Sequence, residues 1–307
     1  MCRWRNCWPR NRTWPGPVCD GMSLLDHIRL CQRRDMARFR PFMAGEAQVG
    51  WVRHELARQL ARYDDVFAVD DRAVRLQPSL ADFDSRSRAM AEIGARLVEA
   101  GVFRKLRGED FPVMAEFGRP PLFKIDRIAV PAFGVKASGV HMNGFLRKPD
   151  GLHLWLGRRA KDKSVAPGKL DHLVAGGQPH GLGIRQNLIK ECAEEAAIPE
   201  HLAAQARPTG TVSYVMEWEA GLRDDVLYVF DLELPADFTP RNTDGEIEEF
   251  MLWPAERVLR EIETTDNFKF NVNLVLIDFL IRRGIIGPER PDYLELLAGL
   301  RRGCATE

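Results

Sequence analysis

The sequence predicts a protein in two parts, a small α+β domain in residues 22–132 and an α/β/α sandwich in residues 133–290. The length of 307 residues suits about two domains of ordinary size. A stretch with three prolines, residues 117–133, lies between the halves, and strand patterns interleaved with a few helices follow it. Residues 291–307 are then expected to form a C-terminal tail.

The first 21 residues differ from the rest of the chain. They hold three of the six cysteines and three of the seven tryptophans, without a helical or strand period. They also lack the apolar run and cleavage site of a secretory signal peptide. We expect a disordered leader, with Met22 as a candidate true start, and the alternative is a basic, aromatic tail that contacts a partner.

The hydrophobic pattern of the first domain predicts helices and short strands. Residues 117–133 are predicted to be a linker because of their prolines. Helices are expected over Ser23–Arg34, Trp51–Tyr63 and Arg86–Ala100, with strands within Phe42–Trp51 and Val66–Leu76.

The second half is predicted to consist of strands interleaved with helices. The turn Lys148-Pro149-Asp150-Gly151 indicates a hairpin between the first two strands. Strands are expected over Val140–Leu146, Leu152–Gly157, Leu170–Val174, Thr211–Trp218, Val226–Leu234 and Phe250–Trp253, with helices over Gln186–Ala197, Ala255–Ile262 and Asn273–Arg283.

Composition excludes several classes of protein. Lysine plus arginine and aspartate plus glutamate number 44 each, so the net charge gives no reason to expect nucleic acid or an anionic membrane as partner. No apolar run reaches the roughly 20 residues of a spanning helix. The cysteines form neither a CxxC pair nor a zinc-ligand spacing, which favours a reducing cytoplasm.

Three carboxylates are concentrated on one predicted helix. An advance of about 100° per residue places Glu191, Glu194 and Glu195 on one stripe, where they repel one another unless a cation lies between them. Clustered carboxylates suit Mg²⁺ or Mn²⁺, and the glycines Gly176 and Gly177 upstream let backbone approach a phosphate closely. The alternative is a solvated acidic helix face.

The run GKLDHLVAGGQPHGLGIRQNLIKECAEEAAIP, from Gly168 to Pro199, resembles the Nudix box of the Nudix hydrolases. Its form VAGG-xxx-GL…KEC-x-EEA is similar to the Nudix domains associated with thiamine pyrophosphokinase, and flanking motifs extend the resemblance over about residues 25–295. Leu182 stands where the general box has its first glutamate, and Ala197 where it has its last glycine. Lys190 replaces the arginine of the box, as in that subfamily.

The resemblance implies a fold, a metal and a set of ligands. It implies an N-terminal domain of unknown function and then a Nudix α/β/α sandwich with a mixed sheet. Mg²⁺, or Mn²⁺, would be held by Glu191 and Glu195, with Glu194 as a further ligand or the base that orients water. A second acidic cluster offers Glu246 and Glu249 as additional ligands, and a solvated loop is the alternative.

Five residues are predicted to bind substrate: Gly176, Gly177, Arg158, Arg159 and Lys190. The two arginines follow a strand and could hold a diphosphate by paired hydrogen bonds, although a plain exposed pair is the alternative.

The expected activity is metal-dependent hydrolysis of a diphosphate linkage. The subfamily implies thiamine diphosphate or its oxidised derivatives, giving the monophosphate. One alternative is a pyrophosphatase acting on oxidised purine nucleoside triphosphates or general nucleoside diphosphate derivatives, and another is a non-catalytic diphosphate-binding module. The expected partner is a small molecule, and a homodimer stays open.

Overall fold

The computed structural model describes residues 22–163 and 165–302, so the predicted leader lies outside the described residues. No helix in these two ranges is long and apolar enough to cross a membrane. The N-terminal part contains the helices α1 (Leu24–Leu30), α2 (His54–Leu60) and α3 (Phe83–Glu99), the strands β1 (Phe39–Ala44), β2 (Ala47–Arg53), β3 (Phe67–Val69) and β4 (Val74–Leu76), then β5 (Asp110–Val113), β6 (Phe123–Asp126) and α4 (Val130–Phe133).

The N-terminal part is built around a four-stranded sheet in the order β2-β1-β4-β3. Gly45, with φ of +60°, makes the turn between β1 and β2, a conformation that glycine adopts without steric cost. Helix α3 buries Met90, Ile93 and Leu97 against this sheet region, as its apolar period predicts. The helices and strands predicted here are confirmed, with ends shifted by a few residues.

The prediction of a linker over residues 117–133 is wrong. Strand β6 lies in this stretch and pairs antiparallel with β5, and Phe123 and Ile125 on its inner face are buried. The prolines do not interrupt the strand, because two precede it and Pro131 lies in the first turn of α4, where a missing N–H is tolerated.

The C-terminal part contains the strands β7 (Lys136–Lys148), β8 (Gly151–Arg159), β9 (Leu170–His172), β10 (Val174–Gly177), β11 (Arg207–Trp218), β12 (Gly221–Glu233) and β13 (Ile247–Pro254), and the helices α5 (Ile184–Ala196), α6 (Glu200–Ala203), α7 (Ala255–Thr264), α8 (Phe270–Arg282) and α9 (Tyr293–Gly299). The strands form one sheet in the order β11-β12-β7-β8-β13, with β10 on β7 and β9 on β8. Strands β7 and β12 run parallel, and the other pairs run antiparallel.

Helices cover both faces of this sheet. Adjacent residues of β12 point to opposite faces: Val229 packs in the core with α7 and α8, whereas Phe230 packs in the core with α5. The α/β/α sandwich with a mixed sheet is therefore confirmed. The short helices α6 and α9 were not predicted, and α9 lies in the stretch expected to be a tail.

Helix α1 packs in the core of the C-terminal part. A capping box between Ser23 and Asp26 starts the helix. Its residue Leu24 is fully buried in the cluster that contains α8 and α9, and the His27 ring nitrogen Nε2 lies 2.7 Å from the carbonyl oxygen of Ile262. Arg29 forms an ion pair of 3.1 Å with Glu295 of α9. The division of the chain at residue 132 stays a prediction.

Candidate active site

A glycine strand and an acidic helix meet at one edge of the sandwich. Strand β10 carries Gly176 and Gly177, and α5 begins after Gly183. The Asn187 side chain of α5 donates a hydrogen bond of 2.8 Å to the Gly177 carbonyl, which fixes the helix start against the strand. Leu188 and Cys192 are fully buried on the core side of α5, so the carboxylates occupy the other side.

Two of the helix carboxylates are held against β10. The Glu195 carboxylate is buried and accepts a hydrogen bond of 2.8 Å from the Ala175 N–H. Glu191 lies so close to Gly176 that a Cβ there would be 2.5 Å from its Cγ. Burial raises the pKa of Glu191, and it raises the pKa of Glu195 well above the ordinary range. A nearby cation is therefore expected to stabilise the ionised form of both carboxyl groups.

Lys190 lies between two of the acids. Its Nζ atom is 2.6 Å from a Glu194 oxygen and 3.3 Å from a Glu191 oxygen. Partial burial opposes a charged lysine, but the hydrogen bond that Lys190 donates to Glu194 and the charge of Glu191 outweigh it and raise the pKa of Lys190. The ammonium group therefore partly neutralises the acidic stripe.

The second acidic cluster, residues 244–249, contributes Asp244 and Glu246 to the site formed by the acids of α5. The Asn242 side chain accepts hydrogen bonds from the N–H groups of Asp244 and Gly245, which folds this loop. Glu246 pairs with Lys163 at 2.5 Å. Burial tends to raise the pKa of Glu246, but the hydrogen bond and charge of Lys163 lower it below the ordinary value.

The other predicted members of the site lie elsewhere. Glu249 is exposed and its nearest cation is Arg158, at 3.6 Å, across the β8–β13 pair. The buried Arg159 forms an ion pair of 2.7 Å with Asp171 and donates a further hydrogen bond to the Val165 carbonyl. Each arginine therefore has an ion partner outside the group of Glu191, Glu194 and Glu195, and the role of the two arginines in holding a diphosphate stays a prediction.

The acids that do converge enclose a cavity of about 160 Å³. We call it the acid cavity, and it is lined by Glu109, Arg127, Ala175, Gly176, Gly177, Lys190, Glu191, Glu194, Glu195, Asp244 and Glu246. Sequence reasoning missed Glu109 and Arg127, which come from the N-terminal part. The sequence did contain one indication of strand β6. Phe123 and Ile125 alternate with polar residues, a pattern that predicts a strand ending just before Arg127.

The donor atoms of the acid cavity suit a divalent metal. Within residues 22–163 and 165–302, no three acidic, histidine or cysteine side chains lie close enough together to hold an ion by themselves. Mg²⁺ needs less, because it is commonly bound by one or two carboxylates, with water and substrate phosphate oxygens completing its coordination. On the cavity wall the Glu195 carboxylate is buried and the Glu191 carboxylate is half-buried, so the residues fit this metal.

Comparison with known proteins gives the family. Over 293 residues the chain is 40% identical to the Arabidopsis thaliana protein "Nudix hydrolase 24, chloroplastic". The alignment covers 94% of this chain and 80% of that protein. This chain belongs to the Nudix hydrolase family. It is equally similar to "Nudix hydrolase 20, chloroplastic" from the same plant, at 40% identity over 298 residues, 93% of this chain and 80% of that protein. The prediction of a hydrolase acting on diphosphate bonds is confirmed, and the cytoplasmic location stays a prediction.

Other comparisons describe the parts of this Nudix hydrolase. Residues 23–137 match the model described as "Domain of unknown function (DUF4743)". Among solved structures, the Nudix domain of Shewanella oneidensis NrtR complexed with ADP ribose covers 50% of this chain and 91% of that one, with 15% identity and a TM-score of 0.40. DR0079 from Deinococcus radiodurans gives 24% identity and a TM-score of 0.35, covering 48% of this chain and 82% of that one. The family assignment rests on the Arabidopsis relatives.

Two positions of the Nudix box depart from the pattern that the resemblance implies. Ala197, in place of the last glycine, ends α5 in the left-handed region with φ of +54°, a conformation that costs an alanine about 1–2 kcal/mol. Leu182, in place of the first glutamate, is half-buried, and its carbonyl accepts a hydrogen bond of 2.5 Å from Gln178. Among the residues that the structure describes, neither Leu182 nor Ala197 lines the acid cavity.

Proposed function

We propose that this Nudix hydrolase cleaves thiamine diphosphate or its oxidised derivatives to the monophosphate and phosphate, with Mg²⁺ or Mn²⁺ as cofactor. The observation that carries the hydrolytic chemistry is the convergence of Glu191, Glu194 and Glu195 on one cavity beside Gly176. The substrate class is supported by the resemblance of VAGG and KECAEEA to the Nudix domains associated with thiamine pyrophosphokinase.

The size of the acid cavity supports recognition of the charged end of the substrate. At about 160 Å³ it is smaller than the roughly 300–1,000 Å³ that encloses a whole drug-sized ligand. Gly176 and Gly177 have no side chains, so their backbone can lie against phosphate oxygens. We therefore assign the diphosphate to the cavity and the organic part of the substrate to the surface outside it.

The environments of the three box acids suggest different tasks. Glu191 and Glu195 are the proposed metal ligands because burial disfavours their charge and a cation offsets that cost. A bound Mg²⁺ supplies neutralisation of phosphate charge and a more acidic water. The Glu194 carboxylate is half-exposed, which lets it meet water, and we assign it the proton of the attacking water.

The reaction is then a displacement at phosphorus. Water forms the new P–O bond, the bridging P–O bond breaks, and Glu194 accepts the proton of the water. Lys190 borders both Glu191 and Glu194, and we assign its ammonium group to a phosphate oxygen of the substrate.

The test is a substrate panel with matched variants. Purified protein is incubated with Mg²⁺ and thiamine diphosphate, oxothiamine diphosphate, ADP-ribose or 8-oxo-dGTP, and phosphate release is followed. We expect turnover of a thiamine compound that Glu195→Gln abolishes and that Glu200→Gln, an exposed control outside the cavity, leaves unchanged. Preference for a nucleotide would replace the proposed substrate, and the absence of turnover with every compound would favour a binding module.

A further inference from the structure

The wall of the acid cavity includes an arginine from outside the Nudix box and its sandwich. We propose that Arg127, at the end of β6, binds the diphosphate of the substrate, so that the N-terminal part completes the active site. This inference rests on the proposed function only in taking a diphosphate as the ligand.

The backbone around Arg127 is held by its own hairpin. Strands β5 and β6 pair from Asp110↔Asp126 to Val113↔Phe123, and Arg127 follows directly. The Arg127 N–H donates a hydrogen bond of 2.8 Å to the Glu109 carbonyl. The Asp126 side chain accepts a bond of 2.9 Å from the Ile128 N–H and so fixes the turn that follows the strand. The position of Arg127 is therefore set by regular structure.

The hairpin is docked onto the glycine strand of the Nudix box. The His180 N–H donates a hydrogen bond of 2.8 Å to the Asp110 carbonyl. A Cβ at Gly177 would lie 2.7 Å from the Phe111 ring and 3.7 Å from the guanidinium carbon of Arg127. The guanidinium group thus lies beside the backbone that we assign to phosphate contact.

The guanidinium group of Arg127 is held by two contacts and is still partly accessible to solvent. Its Nη1 atom bonds to Glu109 at 2.8 Å, and its guanidinium carbon lies 5.8 Å from the centre of the Phe111 ring. The side chain nevertheless keeps 53% of its surface exposed. An exposed ion pair of this kind contributes little to stability, so stability alone does not account for an arginine here.

The balance of charges in the acid cavity supports a phosphate-binding role for Arg127. Among the residues that the structure describes on its wall, six carboxyl groups face two basic side chains, Lys190 and Arg127. Lys190 is bound between two acids of α5, whereas Arg127 pairs with Glu109 alone among the cavity's acids. A planar guanidinium group can offer two parallel N–H donors to a phosphate. Arg158 and Arg159 do not line this cavity, so we assign to Arg127 the diphosphate contact first predicted for them.

The positive charge of Arg127 also lies near two acids of the cavity. Its guanidinium group lines the same cavity as Glu191 and Glu246. Since both carboxyl groups lie on the cavity wall, the guanidinium charge reaches the place where a diphosphate would lie.

The experiment compares Arg127→Ala and Arg127→Lys with Arg119→Ala in the full chain. Arg119 belongs to the same part and forms an exposed pair of 3.6 Å with Glu116, away from the cavity. Binding of imidodiphosphate, which resists hydrolysis, is measured by calorimetry with Mg²⁺, and KM and kcat are measured with thiamine diphosphate. We expect Arg127→Ala to weaken imidodiphosphate binding and raise KM by about tenfold or more. Arg127→Lys should fall between, and Arg119→Ala should match the wild type.

The outcomes separate this inference from the proposed function. Wild-type affinity and KM in a folded Arg127→Ala protein would overturn the inference and leave the function intact. Binding of imidodiphosphate that depends on Arg127, without turnover of any thiamine compound, would support the inference and refute the function. If Arg127→Ala fails to fold, a folded Arg127→Lys protein with unchanged affinity for imidodiphosphate overturns the inference, and one with weakened affinity supports it. A wild type that binds no imidodiphosphate would overturn it as well.

Discussion

Adding one methyl group to the glycine strand should disable the enzyme without unfolding it. In Gly176→Ala the new Cβ would lie 2.5 Å from Glu191 Cγ and 2.6 Å from its Oε1. Ordinary van der Waals contact begins at 3.4 Å and the carboxylate carbon is the nearest atom of all, so the Glu191 side chain must withdraw by about 1 Å. Gly176 itself has an ordinary negative φ, so alanine brings no backbone strain.

The expected effect follows from that displacement. A misplacement of about 1 Å can cost on the order of a hundredfold in rate, equivalent to about 2.7 kcal/mol in the activation free energy. We therefore expect kcat for thiamine diphosphate with saturating Mg²⁺ to fall about a hundredfold. Unfolding in urea should still be cooperative.

The matched control is Gly94→Ala. Gly94 lies within α3, where a Cβ would meet only the Leu106 side chain, at 3.3 Å, and where alanine is the better helix former. This variant should keep wild-type kcat. The reasoning is refuted if Gly176→Ala also keeps wild-type kcat, because Glu191 would then tolerate displacement or take no part in catalysis.

Further outcomes are expected for three variants and for the pH dependence of the rate. Ala197→Gly should raise the free energy of unfolding in urea by about 1 kcal/mol, because glycine adopts the left-handed conformation freely; no gain would mean that the alanine is unstrained. Glu195→Gln should lower kcat by at least about a hundredfold. Without metal it should be more stable than wild type at pH 8, with the gap closing towards pH 4, because a raised pKa makes ionisation oppose folding as pH rises; a gap independent of pH would contradict this. Lys190→Ala should tighten Mn²⁺ binding about twofold in the absence of substrate, and weaker binding would show that the ammonium group does not compete with metal. The rate should fall on acidification at a pH above the ordinary glutamate pKa, since the pKa of Glu191 is raised, and saturating Mg²⁺ should move this fall to lower pH; a fall at the ordinary value would contradict it.

The sequence predicted the helices and strands whose periods are regular. Helix α5 and the hairpin of β7 and β8 were predictable because their apolar positions follow one period and their ends carry turn residues. Strand β6 was missed because prolines on both sides suggested a linker. The alternation of Phe123 and Ile125 is only four residues long, and its pairing with β5 is a tertiary fact.

The site was predicted where its members share one helix. Glu191, Glu194 and Glu195 are placed together by helical geometry alone, which the sequence contains. The ion pair between Arg159 and Asp171 was not predicted, because Asp171 lies on a neighbouring strand and a pattern along one segment does not show that contact. Arg127 was missed for the same reason, since only the docking of its hairpin on β10 brings it to the acids.

The packing of α1 has a consequence for the order in which the protein folds. His27 and its partner Ile262 are 235 residues apart, and Arg29 and Glu295 are 266 residues apart. During synthesis α1 therefore emerges long before the helices that cover it, while the sheet of the N-terminal part has its own strands close together in the chain. We expect the N-terminal sheet to form first and the catalytic half to close last, when α8 and α9 have been made.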